Sequence, residues 1–152
     1  MAASEAVTAL VDQVIDLFNR KSMDLPDGFF NRQTQFLLNG VPFEETLGRS
    51  SSDPLVLMLS RGPAGYRFTA KAVHHAIPDA ELQRGELEET TADGAHVVTG
   101  ECWLSGHLRG TGEVADLLIG IEIILRGLVV ERVNASLDPK GLARLHEARR
   151  RP

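Results

Sequence analysis

The feature that most constrains this chain is a pair of alternating segments, "AHVVTGECWLSGHLR" (95–109) and "EVADLLIGIEIIL" (113–125), separated by a glycine-rich turn. Their period of two predicts two β-strands of a hairpin. Slipping an antiparallel pair by one residue turns every side chain to the opposite face, so the register follows from the pairing that best sorts apolar from polar residues. A two-residue Gly110-Thr111 turn pairs Arg109 with Gly112. It sets Leu104 opposite Leu117, Cys102 opposite Ile119, Gly100 opposite Ile121 and Val98 opposite Ile123, a consistently apolar face. The other face collects Ser105 opposite Asp116, Trp103 opposite Leu118 and Glu101 opposite Gly120.

The strands on either side extend this pattern. A turn at Asp93-Gly94 places Glu86 opposite Glu101, Glu88 opposite Thr99 and Arg84 opposite Trp103. On the other flank, a pairing of Glu122 with Arg132 keeps Val133 and Ala135 on the apolar face and sets Asn134 beside Gly120 and Ser136 beside Leu118. Glu101, Gly120 and Asn134 then form a line across three strands, with the glycine leaving a gap between a carboxylate and an amide.

Upstream, "SEAVTALVDQVIDLFNR" repeats apolar residues at spacings of three and four, which predicts a helix with Ser4 as its N-cap. "DLPDGFFNRQ" suggests a short helix with Pro26 in its first turn, and "TQFLLNGVPFEETLG" an extended segment turning at Asn39-Gly40. A further short helix is expected from Ser52 or Asp53, with Pro54 in its first turn and Gly62 and Pro63 at its end. "YRFTAKAVHHAI" (66–77), "ELQRGELEETT" (81–91) and "LVVERVNASL" (128–137) are read as strands, and "DPKGLARLHEARR" as a C-terminal helix. Helices first and a meander afterwards predict an α+β domain. At 152 residues the chain has the length of one domain with one core.

Charge and cysteine content narrow the function classes. A formal charge of -5 argues against general affinity for nucleic acid or anionic membrane, both of which call for basic patches. The basic tail "ARLHEARRRP" is a local exception, read as a solvated terminus. The lone Cys102 has no partner for an internal disulfide, which fits a reducing, cytoplasmic location. The N-terminus lacks the basic-then-apolar pattern of a secretory signal. The run "VADLLIGIEIILRGLVV" is interrupted by Asp116, Glu122 and Arg126, so it reads as buried strand and not as a membrane span.

Three stretches, "VTALVDQVIDLFNRKSMDLPDGFF", "TADGAHVVTGECWLSG" and "RGLVVERVNASLDPKGLARL", together resemble the SnoaL-like or nuclear-transport-factor-like superfamily, the cystatin-like α+β cone. The resemblance covers nearly all of residues 1–152. It implies a single domain with a curved antiparallel sheet wrapped around N-terminal helices, forming a cone with one pocket. Superfamily members include ketosteroid isomerases, limonene epoxide hydrolases, scytalone dehydratases, polyketide cyclases and non-catalytic binding domains, so the fold does not assign the chemistry. The "PPTG" signature common in polyketide cyclases is absent, with "RGTG" near its place. The aspartate that epoxide hydrolases carry on the last strand would fall near Asn134 or Ala135.

Within that frame Glu101 is the candidate proton-transfer group and Asn134 the candidate for polarising a substrate oxygen, with His107 or Asp116 assisting. Trp103 and Tyr66 are candidates to shape the pocket. Glu122 with Arg132 resembles the acid and arginine clusters that orient water or substrate in epoxide hydrolases of this fold. Each has a plainer reading: a solvated strand carboxylate, a surface histidine, a cross-strand ion pair, packed aromatics. No spacing supports a metal site, and adjacent His74 and His75 would point to opposite faces of a strand. The expected function is a cofactor-independent enzyme of secondary metabolism acting on an apolar small molecule, as a cyclase, isomerase, dehydratase or epoxide-opening enzyme. The alternative is a non-catalytic binding or dimerisation domain, with Trp103, Leu118 and Ile124 meeting a second subunit in a homodimer.

Overall fold

The computed structural model describes residues 2–22, 30–42, 62–127 and 129–150. The elements run α1 (Glu5–Asn19), β1 (Phe30–Leu38), β2 (Val41–Pro42), α2 (Gly62–Ala76), β3 (Glu81–Ala92), β4 (Ala95–His107), β5 (Val114–Arg126), β6 (Val129–Ser136) and α3 (Pro139–Arg150). The strands form one curved sheet in the order β2-β1-β6-β5-β4-β3. The short helices expected near Pro26 and over 52–61 lie outside the described residues. Among the described residues, no helix is long and apolar enough to cross a membrane.

The central register is the one the alternation predicts. Leu104 faces Leu117, Cys102 faces Ile119, Trp103 faces Leu118 and Glu101 faces Gly120. Leu104, Cys102 and Val98 are buried, whereas Glu101, Trp103 and Ser105 are exposed. The flanking strands depart from expectation through bulges. Between β3 and β4 the expected pairing holds from Ala92 to Leu87 and then shifts, so that Arg84 faces Cys102 and Gln83 faces Trp103. Gly85 and Glu86 together span the position opposite Glu101. The bulge bends the strand and carries the Arg84 side chain to the helix side, where its guanidinium pairs with both carboxylate oxygens of Asp12 on α1. Between β5 and β6 the pairing is offset by two residues from the expected one. Glu122 faces Asn134, Ile124 faces Arg132 and Gly120 faces Ser136, with a bulge between Ile124 and Leu125. An offset of two keeps each side chain on its expected face but changes its partners.

Two expectations about architecture are corrected. The sheet is mixed: β1 pairs in parallel with β6, Phe36 beside Val133 and Leu38 beside Ala135. Residues 66–76 are helical, within α2, which begins at Gly62 where a helix was expected to end. Tyr66, Ala70, Val73 and Ile77 recur at spacings of four, three and four, a helical face, and the alanines at 64, 70, 72 and 76 favour the helix. Pro63 in the first turn of α2 costs no backbone hydrogen bond.

The helices cover the apolar face of the sheet. Ser4 Oγ accepts from Val7 N–H at 3.3 Å and caps α1, whose Val7, Val11, Leu17 and Phe18 are buried. Asn19, at the end of α1, donates from Nδ2 to Leu82 O and accepts from Leu82 N–H at Oδ1, occupying both backbone groups of Leu82 on the edge strand β3. The N-terminal segment covers the same edge further along, with Ala3 N–H donating to Leu87 O. These contacts occupy part of the β3 edge that another strand could otherwise pair with. Thr34, wholly buried in β1, donates to Val130 O and so is satisfied within the core.

Candidate functional site

The concave face of the sheet and the three helices line a partly open cavity of about 230 Å³. Leu10, Val14 and Phe18 come from α1, Phe30 and Phe36 from β1, and Tyr66, Ala70 and Val73 from α2. The floor is Cys102 and Leu104 of β4, Ile119, Ile121 and Ile123 of β5, and Val133 and Ala135 of β6, while Leu145 comes from α3. Among the described residues the wall holds no Asp, Glu, His, Lys or Arg. An apolar cavity of about 150 Å³ is known to stay dry and to take up benzene, so a larger apolar one has room for a bicyclic hydrocarbon skeleton.

Three wall residues carry polar side-chain atoms. Thr69 Oγ1 donates to Gly65 O at 2.9 Å, one turn back on α2. Cys102 is 2 % exposed, and burial pushes its thiol up to about 11, only partly opposed by the charge of Arg84. Tyr66 is 5 % exposed with its ring stacked on Phe30, and its hydroxyl is buried without a hydrogen-bond partner among the described residues. A buried polar group left unsatisfied costs about 1–3 kcal/mol. Burial also raises the Tyr66 pKa, so the phenol stays neutral and acts as a donor. Neither Cys102 nor Tyr66 is a base at neutral pH.

Tyr66 alone of the expected site residues lines this cavity. The others lie on the outer side of the sheet or at its ends, because the alternation that sends Cys102 and Leu104 inward sends their neighbours outward. Glu101 is exposed across from Gly120, and Asp116 is exposed across from Ser105. Trp103 is 43 % exposed, its ring lying over Gly85, where a Cβ would sit 3.2 Å from the ring. The expected Glu122 and Arg132 pair is not opposed in the sheet: Arg132 Nε reaches Gln35 Oε1 at 3.3 Å instead. Asn134, expected beside Gly120, stands opposite Glu122, and its Oδ1 accepts from Gly40 N–H at 3.0 Å, tying down the turn between β1 and β2.

His107 is engaged as well. Its Nδ1 meets Asp79 Oδ2 at 2.6 Å, and its backbone N–H donates to Asp79 Oδ1 at 2.7 Å. These bonds hold the Asp79 carboxyl below its ordinary range. The cluster joins the turn after α2 to the end of β4, outside the cavity wall. His74 and His75 lie on a helix and not on a strand. His74 stacks on Phe18, with ring centroids 4.3 Å apart, and donates from Nε2 to Phe18 O, while its Nδ1 is buried without a partner among the described residues. The cavity residues that sequence reading missed, such as Val73, Ile121 and Leu145, are ordinary apolar residues. Ile121 had its signal in the apolar face of the central hairpin, whereas Val73 and Leu145, on α2 and α3, had none there.

No family model matches the sequence, and no curated protein matches it. Solved structures do. A SnoaL-like polyketide cyclase from Agrobacterium tumefaciens superposes with a TM-score of 0.58 at 14 % identity, over 93 % of this chain and 98 % of that one. The chain has the SnoaL-like fold. TerC, crystallised with polyporic acid, matches at a TM-score of 0.63 and 14 % identity over 94 % of this chain and 99 % of TerC. TsrD from Streptomyces laurentii matches at 0.64 and 13 % identity, over 97 % and 99 % of the two chains. At identities this low the superpositions show the fold alone, and the chemistry has to be argued from the site.

Proposed function

We propose that this protein binds an apolar small molecule inside its cone. The observation that carries the reading is the cavity of about 230 Å³ whose wall, among the described residues, is free of charged side chains. Burial of apolar ligand surface there supplies affinity at roughly 25 cal/mol per Å² before the entropy of association is subtracted. The enzymatic form of the reading is a cofactor-independent reaction of secondary metabolism, such as cyclisation, in which the cavity folds an apolar substrate into a reactive shape. It is supported by the similarity to a polyketide cyclase and by a wall that supplies shape and neutral donors in place of a base.

The test is a fluorescence titration with N-phenyl-1-naphthylamine, an uncharged probe whose emission rises in apolar surroundings. Saturable binding is expected, weakened at least about tenfold by Ile121→Trp or Ala135→Leu, which place bulk in the cavity, and unchanged by Glu101→Gln on the outer face. Thermal unfolding of each variant checks that it is folded. Folded cavity variants that bind as wild type does would overturn the reading, and loss of binding in Glu101→Gln would move the site to the outer face.

A specific observation also favours a role for that outer face. Trp103 and Leu118, 43 % and 50 % exposed, are cross-strand neighbours and form an apolar patch. The second reading is that two copies of the chain meet there as a homodimer.

A further inference from the structure

The outer face of β3, β4 and β5 is acidic around an apolar centre. Trp103 and Leu118 are that centre, cross-strand neighbours with much of each side chain exposed. Glu101 and Ser105 flank Trp103 on β4, and Glu81 and Asp116 stand on either side of Ser105. Glu86 lies in the bulge beside Glu101, while Glu88 and Glu122 stand on either side of Thr99. Among the described residues, none of these carboxylates makes a hydrogen bond or an ion pair. The cations at the margins of the face are engaged elsewhere: Arg126 with Glu131, His107 with Asp79 and Arg132 with Gln35. Unbroken pairing of β3 would set Arg84 opposite Trp103, but the bulge carries it to the inner side, where Asp12 holds it.

We propose that this face docks an extended, arginine-bearing segment of a partner protein, with its arginines on Trp103 and the carboxylates and its apolar residues on Leu118. A guanidinium stacks on an indole and pairs with a carboxylate through the same planar group, and here the two lie on adjacent same-face positions of one strand. Nucleic acid and anionic membrane would be repelled by the same charges. A second copy meeting face to face would set like charges against each other, a cost that a basic segment does not carry. Docking on the outer face does not depend on what the cavity holds.

Trp103 is the only tryptophan of the chain, so its emission reports on this face. The experiment titrates the protein with acetyl-Gly-Arg-Leu-Arg-Leu-Arg-Gly-amide and with the peptide in which glutamine replaces each arginine. The arginine peptide is expected to shift Trp103 emission to the blue, saturably and below about 1 mM, and the glutamine peptide to bind at least about fivefold more weakly. The double variant Glu101→Gln, Asp116→Asn should weaken the arginine peptide about three- to tenfold, the range of two exposed charge pairs. The control Glu5→Gln, Asp93→Asn, which removes the same charge away from this face, should bind as wild type does. Thermal unfolding checks that each variant is folded. Absence of a saturable shift, equal binding of the two peptides, or equal effects of the two double variants would each overturn the proposal. A blue shift that grows with protein concentration and no peptide would put a second copy on the face and overturn it as well.

Discussion

Alkylation of Cys102 by iodoacetamide is expected to be slow in the folded protein by a factor that the site itself sets. The thiol lies in the cavity floor at 2 % exposure, between Arg84 on β3 and Ile119 on β5. Burial moves its pKa from the ordinary 9.0 to about 11. The thiolate is the reactive form, so at pH 8 the reactive fraction falls from about one in ten to about one in a thousand, roughly 100-fold. Enclosure by the α1 and α2 side chains adds to this. The rate constant in native buffer should therefore be at least about 100-fold below that in urea, and it should rise close to tenfold per pH unit between 8 and 10. Saturating N-phenyl-1-naphthylamine should slow it further, because the probe and the reagent need the same space. Mass spectrometry of timed aliquots measures the rate. A native rate within tenfold of the unfolded one would refute the buried, high-pKa thiol.

The remaining predictions concern the frame around that site. Gly106 has φ +152°, and a Cβ there would lie 2.4 Å from Ile77 Cγ2 and 2.8 Å from Asp79 Oδ1. Gly106→Ala should cost about 2–5 kcal/mol by backbone strain and overpacking, a fall in Tm of roughly 5–15 °C, and an unchanged urea midpoint would contradict it. His74 has its pKa lowered first by burial, so its neutral form is the one the fold favours. The unfolded chain takes up this proton first, near pH 6.5, so the contribution is complete above that pH and is lost as pH falls below it. Urea midpoints measured from pH 7.5 to 5.5 should thus fall more steeply for wild type than for His74→Phe, and parallel curves would remove His74 as the cause. If the Trp103 and Leu118 patch joins two copies, Leu118→Arg should sediment as a monomer where wild type sediments as a dimer; identical profiles would discard that interface.

The central hairpin was legible because it is a local matter. Val98, Cys102 and Leu104 alternate in step with Leu117, Ile119, Ile121 and Ile123, so one register gathers them on a single face, and a slip by one residue scatters them. The outer strands were less legible, since a bulge at Gly85 and Glu86 moves Arg84 to the face of Cys102, and the two-residue offset between β5 and β6 changes partners while keeping faces. Residues 66–77 have aromatic and β-branched residues that suit a strand and a four-three-four spacing that suits a helix. Packing of Tyr66, Ala70 and Ile77 into the core goes with the helix.

By itself the sequence determined the α+β class, the helical N-terminus, the meander and which side chains of the central strands lie on the apolar face. Local periodicity encodes all of these. Where the cavity lies was a matter for the tertiary structure alone. Glu101, Trp103 and His107 drew attention because they are polar or aromatic in a row, yet that row faces outward. The cavity is a volume left over when α1, α2 and α3 close on the curved sheet. It is bounded by residues as distant in the chain as Leu10 and Leu145, and a gap between apolar side chains leaves no mark on any one of them.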